Sequence, residues 1–187
     1  MSVKIRLKVP LLCLLLTIAI VSPASGLERR LTLDVVEVTW PGAPSPTATI
    51  DEVANSIKNE VSSEWRRFTQ LEADATKPGV VISLGEVAKD RIILNRAINC
   101  AENSFKSFLA ELRTSFYQKA NITNTSDRSL VILTPAAGCV WLARADLGGR
   151  ESFGQGLVLQ NTSSSFVIIH EIGHVLGLGH SNLLRCS

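Results

Sequence analysis

All three histidines of this 187-residue chain fall in one window, His170-Glu171-Ile172-Gly173-His174-Val175-Leu176-Gly177-Leu178-Gly179-His180. Residues four apart share a face of an α-helix, so His170 and His174 can offer two imidazoles to one metal ion. Glu171 stands one step round, beside such an ion rather than on it, where its carboxylate can accept a proton from a water the metal holds. His180 is out of reach if the helix runs on, because six more residues carry it about 9 Å along the axis and to another face. Gly177 removes that obstacle, since glycine accepts the positive φ that ends a helix and turns the chain back. Three imidazoles with one open position make the ligand set of a catalytic Zn2+, not of a closed structural site. Zinc there acidifies the water and polarises a scissile carbonyl, while Glu171 acts as general base. A bare H-E-x-x-H also arises by chance. The glycine and third histidine at fixed offsets, in a chain with no other histidine, argue against accident.

These residues need a helix and a frame to hold it. Phe166 to Leu178 is helical in pattern, and its apolar Ile172, Val175, Leu176 and Leu178 suit a buried helix. Thr49 and Glu52 have capping-box spacing, and Val53, Ile57, Val61, Trp65, Phe68 and Leu71 follow at steps of three and four. Phe105, Phe108, Leu109, Leu112 and Phe116 form another helical stripe. Both stripes are read as core packing. Strands are expected at Leu31 to Trp40, Val80 to Leu84, Leu130 to Leu133, Val140 to Ala145 and Leu157 to Gln160. Turn signals at residues 41–46, Pro78-Gly79, Ala136 to Gly138 and Gly148-Gly149 separate them. Five strands among three helices indicate one mixed α/β domain.

The amino terminus is a different kind of sequence. Residues 1–26 carry Lys4, Arg6 and Lys8, no acid, the apolar run Pro10 to Val21 and a small-residue close at Ser22 to Gly26. This pattern is read as a secretory signal peptide, the run being short of the ~20 apolar residues that span a bilayer. Cys13 has no small residues before it, which argues against lipid attachment. Without the three basic residues of that segment, 16 basic residues remain against 17 acidic, a net of −1. The domain, taken as residues 27–187, has no Lys/Arg cluster to meet nucleic acid or an anionic membrane. A secreted or extracellular location is expected, periplasmic or at the cell wall if the host is bacterial, with no stable membrane association after cleavage.

Cys100, Cys139 and Cys186 then make an odd count in an exported protein. Cys100 with Cys139 is the favoured pair, both lying inside the domain, and would stabilise it by about 4 kcal/mol in the chain-entropy model. The alternative pairs Cys139 with Cys186 and leaves Cys100 free; Cys186 could also pair beyond residue 187. The motifs Asn121-Ile122-Thr123, Asn124-Thr125-Ser126 and Asn161-Thr162-Ser163 are glycan acceptors in a eukaryotic host and have no meaning in a bacterial one.

His170 to His180 resembles the extended zinc motif H-E-x-x-H-x-x-G-x-x-H of the metzincin metallopeptidases. Ser181 after the third histidine is similar to what matrixins and gametolysin-like enzymes carry. Cys139-Val140-Trp141, Ala143 and Gly148-Gly149 look more like the gametolysin group. The resemblance implies a twisted, mixed five-stranded sheet with the active-site helix below it. It also implies a protein or peptide substrate lying extended along an edge strand. Val140 to Ala145 is the expected edge, with Leu142, Ala143 and Arg144 as substrate-binding positions. Arg144 and Asp146 are otherwise read as ordinary solvated or turn residues.

The chain also departs from that family. Its one methionine is Met1, whereas metzincins carry a methionine turn after the third histidine. Residues 27–187 are therefore expected to be the N-terminal subdomain with the zinc helix, the C-terminal subdomain missing. No cysteine-bearing latency segment is evident between signal and first strand. Two functions are in view: a secreted zinc endopeptidase acting on extracellular or cell-wall proteins, and a truncated or non-catalytic zinc-binding module.

Overall fold

The computed structural model describes residues 29–69, 79–149 and 152–180. The signal segment 1–26, Leu71, Pro78, Ser181 and Cys186 lie outside the described residues.

Eleven segments follow in order. Strand β1 is Arg30–Thr39, helix α1 Ile50–Ser56, then a π-helical stretch Ile57–Val61 and helix α2 Ser62–Thr69. Strands β2 (Val81–Val87) and β3 (Ile92–Ile93) precede helix α3 (Glu102–Lys119). Strands β4 (Arg128–Thr134), β5 (Ala143–Ala145) and β6 (Gly156–Gln160) lead to helix α4 (Ser165–Val175). The six strands form one mixed sheet in the order β2-β1-β4-β6-β5, with β3 pairing the far end of β1. All pairings are parallel except β5 on β6, which is antiparallel and lies at the edge. Five strands were expected. The sixth, β3, is a two-residue pairing of Ile92 and Ile93 with Val38 and Thr39, too short to show any periodicity.

Alternation along the strands builds two cores. Leu31, Leu33 and Val35 of β1, Val131 and Leu133 of β4, and Leu157 and Leu159 of β6 face α1, α2 and α4. Val36, Val38, Leu130, Ile132 and Val158 face α3. Every residue of β6 is buried, as expected of an inner strand covered on both faces. Each fully buried Leu, Ile or Val contributes roughly 1.5–3 kcal/mol of transfer free energy. The layers are therefore helix, sheet, helix, with α4 alone on its side of β5 and β6.

The capping box forms: Thr49 Oγ1 accepts from the Glu52 amide at 3.2 Å, and Glu52 Oε2 from the Thr49 amide at 2.8 Å. The helix it starts differs from the plain α-helix expected. Val53, Ile57, Val61 and Trp65 are each four apart, and on an α-helix every such step drifts by about 40°. The wider π turn at Ile57–Val61 absorbs that drift, and all four side chains are buried.

Cys100 and Cys139 form the disulfide, with Cα atoms 5.6 Å apart. It joins the segment before α3 to the segment before β5. β5 is accordingly shorter than the expected Val140 to Ala145: Cys139 is tied towards α3, and the chain joins β6 only from Leu142 onward, where the Gln160 amide donates to the Leu142 carbonyl at 2.9 Å. Gln160 bridges the lead-in, accepting from the Ala137 amide at 2.9 Å and donating to the Trp141 carbonyl. No helix of the described residues is long and apolar enough to cross a membrane.

A buried polar cluster sits on the α3 side. Asp34 of β1, fully buried, pairs with the Arg128 guanidinium (Nε to Oδ2 2.8 Å) and accepts from the Glu86 amide at 2.7 Å. The neighbouring Tyr117 hydroxyl is buried without a well-formed hydrogen bond. Burial, reinforced by the charge of Asp34, pushes its pKa far above the usual tyrosine value. Because the folded state holds that proton after the unfolded chain has lost it, stability must fall as pH rises past about 10. Tyr117→Phe is expected to flatten this alkaline loss, with a midpoint close to the parent's at pH 7, as read from thermal unfolding between pH 7 and 11.

Candidate metal centre

Helix α4 presents two faces. Ile168, Ile172 and Val175 are fully buried against the sheet, while His170 and His174 look outward, their rings 5.0 Å apart. The C-terminus then turns sharply. Gly177 has φ +93°, its amide bonds the His174 carbonyl at 2.8 Å, and the Leu178 amide bonds the Gly173 carbonyl at 2.8 Å. This pair of bonds is a Schellman cap, which satisfies end carbonyls and reverses the chain. The reversal brings His180 back, its ring 4.5 Å from that of His174 and 5.6 Å from that of His170.

One ring nitrogen from each of His170, His174 and His180 lies within 4.8 Å of the others, so the group could hold a metal ion. Nε2 of His174 and of His180 are 3.1 Å apart. Tetrahedral bonds of about 2.0–2.1 Å place two ligand nitrogens roughly 3.3 Å apart, so this spacing suits joint ligation. His174 is also oriented for it. Its Nδ1 lies 2.7 Å from the Leu178 carbonyl, and donating there leaves the Nε2 lone pair free for a metal.

The cap is braced from the sheet. The Gly148 amide donates to the His174 carbonyl at 2.9 Å, and the Gly154 amide to the Val175 carbonyl at 2.8 Å. The loop between β5 and β6 thus satisfies the Val175 carbonyl, which α4 would otherwise leave open, and gives that of His174 a second donor. Gly148 is required by that approach, since a Cβ there would lie 2.1 Å from the Val175 carbonyl oxygen.

Glu171 is 7% exposed, on the sheet side of the histidines. Burial raises its pKa above the usual carboxylate range, a rise that the three imidazoles and the nearby Ala145 main chain oppose only in part. In β5, Leu142, Arg144 and Asp146 direct their main-chain bonds towards β6, which leaves Ala143 and Ala145 facing the free edge. Ala143 packs on the α4 side with Ala145, and Leu142 is exposed. Arg144 is not brought to the histidines. Its guanidinium lies over the Phe105 ring at 4.9 Å and 3.4 Å from the Cys100 carbonyl, on the α3 side. Asp146 caps the turn by accepting from the Gln155 amide at 3.0 Å.

A cleft of about 760 Å³ opens at the histidines, walled by Trp65, Phe68 and Thr69 of α2 and by Ile169, Gly173 and Leu178. Sequence reasoning assigned Trp65 and Phe68 to the core, because a stripe at helical spacing gives no sign of which members reach its rim. Phe68 is in fact 58% exposed.

No family model matches the chain, and no curated protein does. Among solved structures, a chain from a chaperone–substrate complex is similar over 82% of this chain, at 17% identity and a TM-score of 0.41. This chain spans 24% of that one. So slight a likeness carries no weight for function.

Gly177→Ala forces a side chain into a left-handed backbone, with its Cβ 3.1 Å from the Gly148 carbonyl oxygen. It is expected to cost about 1–2 kcal/mol and to weaken metal binding at least tenfold through His180. Gly177→Asn, which tolerates positive φ better, should lose less. Competition with a chromophoric chelator for Co2+ or Zn2+ measures both.

Proposed function

We propose that this chain is, or belongs to, a secreted zinc-dependent endopeptidase of metzincin type that hydrolyses peptide bonds in extracellular or cell-wall proteins. One observation supports the reading above others: a three-imidazole cluster shares one helix turn with a buried carboxylate, on a helix packed beside the edge strand β5. His170, His174 and His180 would hold the ion, and three nitrogen donors suit zinc. When bound, zinc supplies a Lewis acid that acidifies water and polarises a carbonyl. Glu171 holds the proton taken from that water and returns it to the leaving amine, the role of a general base turned acid. Ala143 offers its main chain to an extended peptide, in the manner of strand addition. The cleft walls exclude water from one side through Trp65, Phe68 and Leu178. The same donor set is compatible with metal binding alone, so turnover must be tested separately from zinc content.

The full chain, purified with its zinc content measured, is assayed on an unfolded protein with and without chelator. Glu171→Gln is expected to keep one equivalent of zinc yet lose hydrolysis by 10²-fold or more. His174→Ala should lose both. Zinc bound at one equivalent by the parent chain with no cleavage would overturn the peptidase and leave a zinc-binding module.

A further inference from the structure

On the α3 side of the sheet, the polar cluster around Asp34 is short of one negative charge. Asp34 takes the Nε and Nη2 edge of Arg128 and also receives the Glu86 amide. A second guanidinium, that of the half-buried Arg113 on α3, lies 5.0 Å over the Tyr117 ring. Its Nη2 donates to the Thr125 carbonyl at 2.6 Å and to the Arg128 carbonyl at 3.3 Å. Its Nε is buried with no acceptor, and among the described residues no carboxylate pairs with it. Tyr117 keeps its proton, since burial and the charge of Asp34 oppose its ionisation. Two guanidiniums therefore face one carboxylate, a surplus of one positive charge. Asp127 does not make good the difference. Among the described residues it pairs with neither arginine, and its effect on Arg128 ranks after those of Asp34 and Tyr117. Carbonyl groups offset only part of what it costs to hold an unpaired cation away from water.

We propose that the hollow bordered by Arg113 and Arg128 is a binding site for a tetrahedral oxyanion, the sulfate or phosphate group of a free ion or of a sugar ester.

The hollow has a volume of about 490 Å³, and no Asp or Glu is among the described residues that line it. Thr114, Ser126, Ser152 and Gln155 surround the two guanidiniums. With Asp34 on one edge of Arg128, its Nη1 is uncommitted among the described residues. A planar guanidinium offers paired donors that match two oxygens of a sulfate or phosphate, and it is weakly hydrated. The side chains of Ser152 and Gln155 make no hydrogen bond among the described residues, which leaves a hydroxyl and an amide for the remaining oxygens. Arg29, stacked at 4.7 Å on the Phe153 ring at the margin, adds a further cation. The volume exceeds that of one ion, and the polar rim suits the hydroxyls of a sugar. This is a pocket for one anionic group, not the extended basic face that nucleic acid requires.

Tyr117 is the one tyrosine of the chain, so fluorotyrosine incorporation gives a single fluorine NMR line beside Arg113. The full chain so labelled is titrated at pH 7 with sulfate, phosphate, glucose sulfate and glucose phosphate, sodium chloride holding the ionic strength constant. The line is expected to shift and saturate with each. Esters binding about tenfold tighter than the ions assign the group to a sugar ester, and equal affinities assign it to the free ion. Arg113→Gln should lose the shift, although it also releases the carbonyls of Thr125 and Arg128. Thr114→Glu keeps the test decisive: at an exposed position of α3 it puts a carboxylate at the hollow. It should abolish binding while unfolding at a temperature no lower than the parent's. A line that moves no further with sulfate or phosphate than with chloride overturns the proposal, as does a Thr114→Glu chain that still binds them. The histidines lie on the other face of the sheet, so the result is independent of zinc and of peptide hydrolysis.

Discussion

The carboxyl end of α4 is where the rest of the structure meets. A helix end leaves carbonyls without partners, and a buried end without partners is costly. Here Gly177 turns the chain so that its own amide and that of Leu178 serve the His174 and Gly173 carbonyls, while across from the sheet Gly154 serves that of Val175 and Gly148 adds a second bond to that of His174. The arrangement that stabilises the helix end is the one that carries His180 back beside His174. The clustering of the imidazoles is in this sense a by-product of hydrogen-bond satisfaction. A change that loosened the cap would disperse the imidazoles without touching any of them.

Glu171 couples this end to the sheet. A carboxylate at its depth is disfavoured by desolvation, and three imidazoles with one main-chain amide offset that only in part. The amide belongs to Ala145, on the one strand that runs antiparallel and borders solvent. Sheet edge, carboxylate and the three histidines thus sit within one packed unit. Behind it the π turn keeps Trp65 against Gly173, with the indole 3.9 Å from where a Cβ would sit, so the cleft wall and the ligand helix are held at fixed distance.

Much of this was legible in the residues, because local rules governed it. Periodicity found the three helical regions and the five longer strands, and Thr49 with Glu52 marked a helix start that the structure has. The glycine rule gave Gly177 its role, since positive φ is a property of one residue in its own backbone. What escaped depends on distant pairing. β3 exists only because β1 extends past β2. The true length of β5 follows from Cys139 being held near Cys100 and from Gln160 bonding the lead-in. The side on which Arg144 falls is a matter of strand parity, which cannot be counted until the strand's start is known. Trp65 and Phe68 needed the position of α4 before they could be seen as walls.

The shortness of β5 has a further effect. An uncovered strand edge is a hazard, because it can template pairing with another copy of itself. Here the free main-chain groups are those of Ala143 and Ala145 alone. So small a template gives too little purchase for sheets to grow from one molecule to the next. It also sets a demand on any extended ligand, which must bring contacts from beyond the strand to remain bound. The economy of the edge thus guards against sheet-to-sheet self-association.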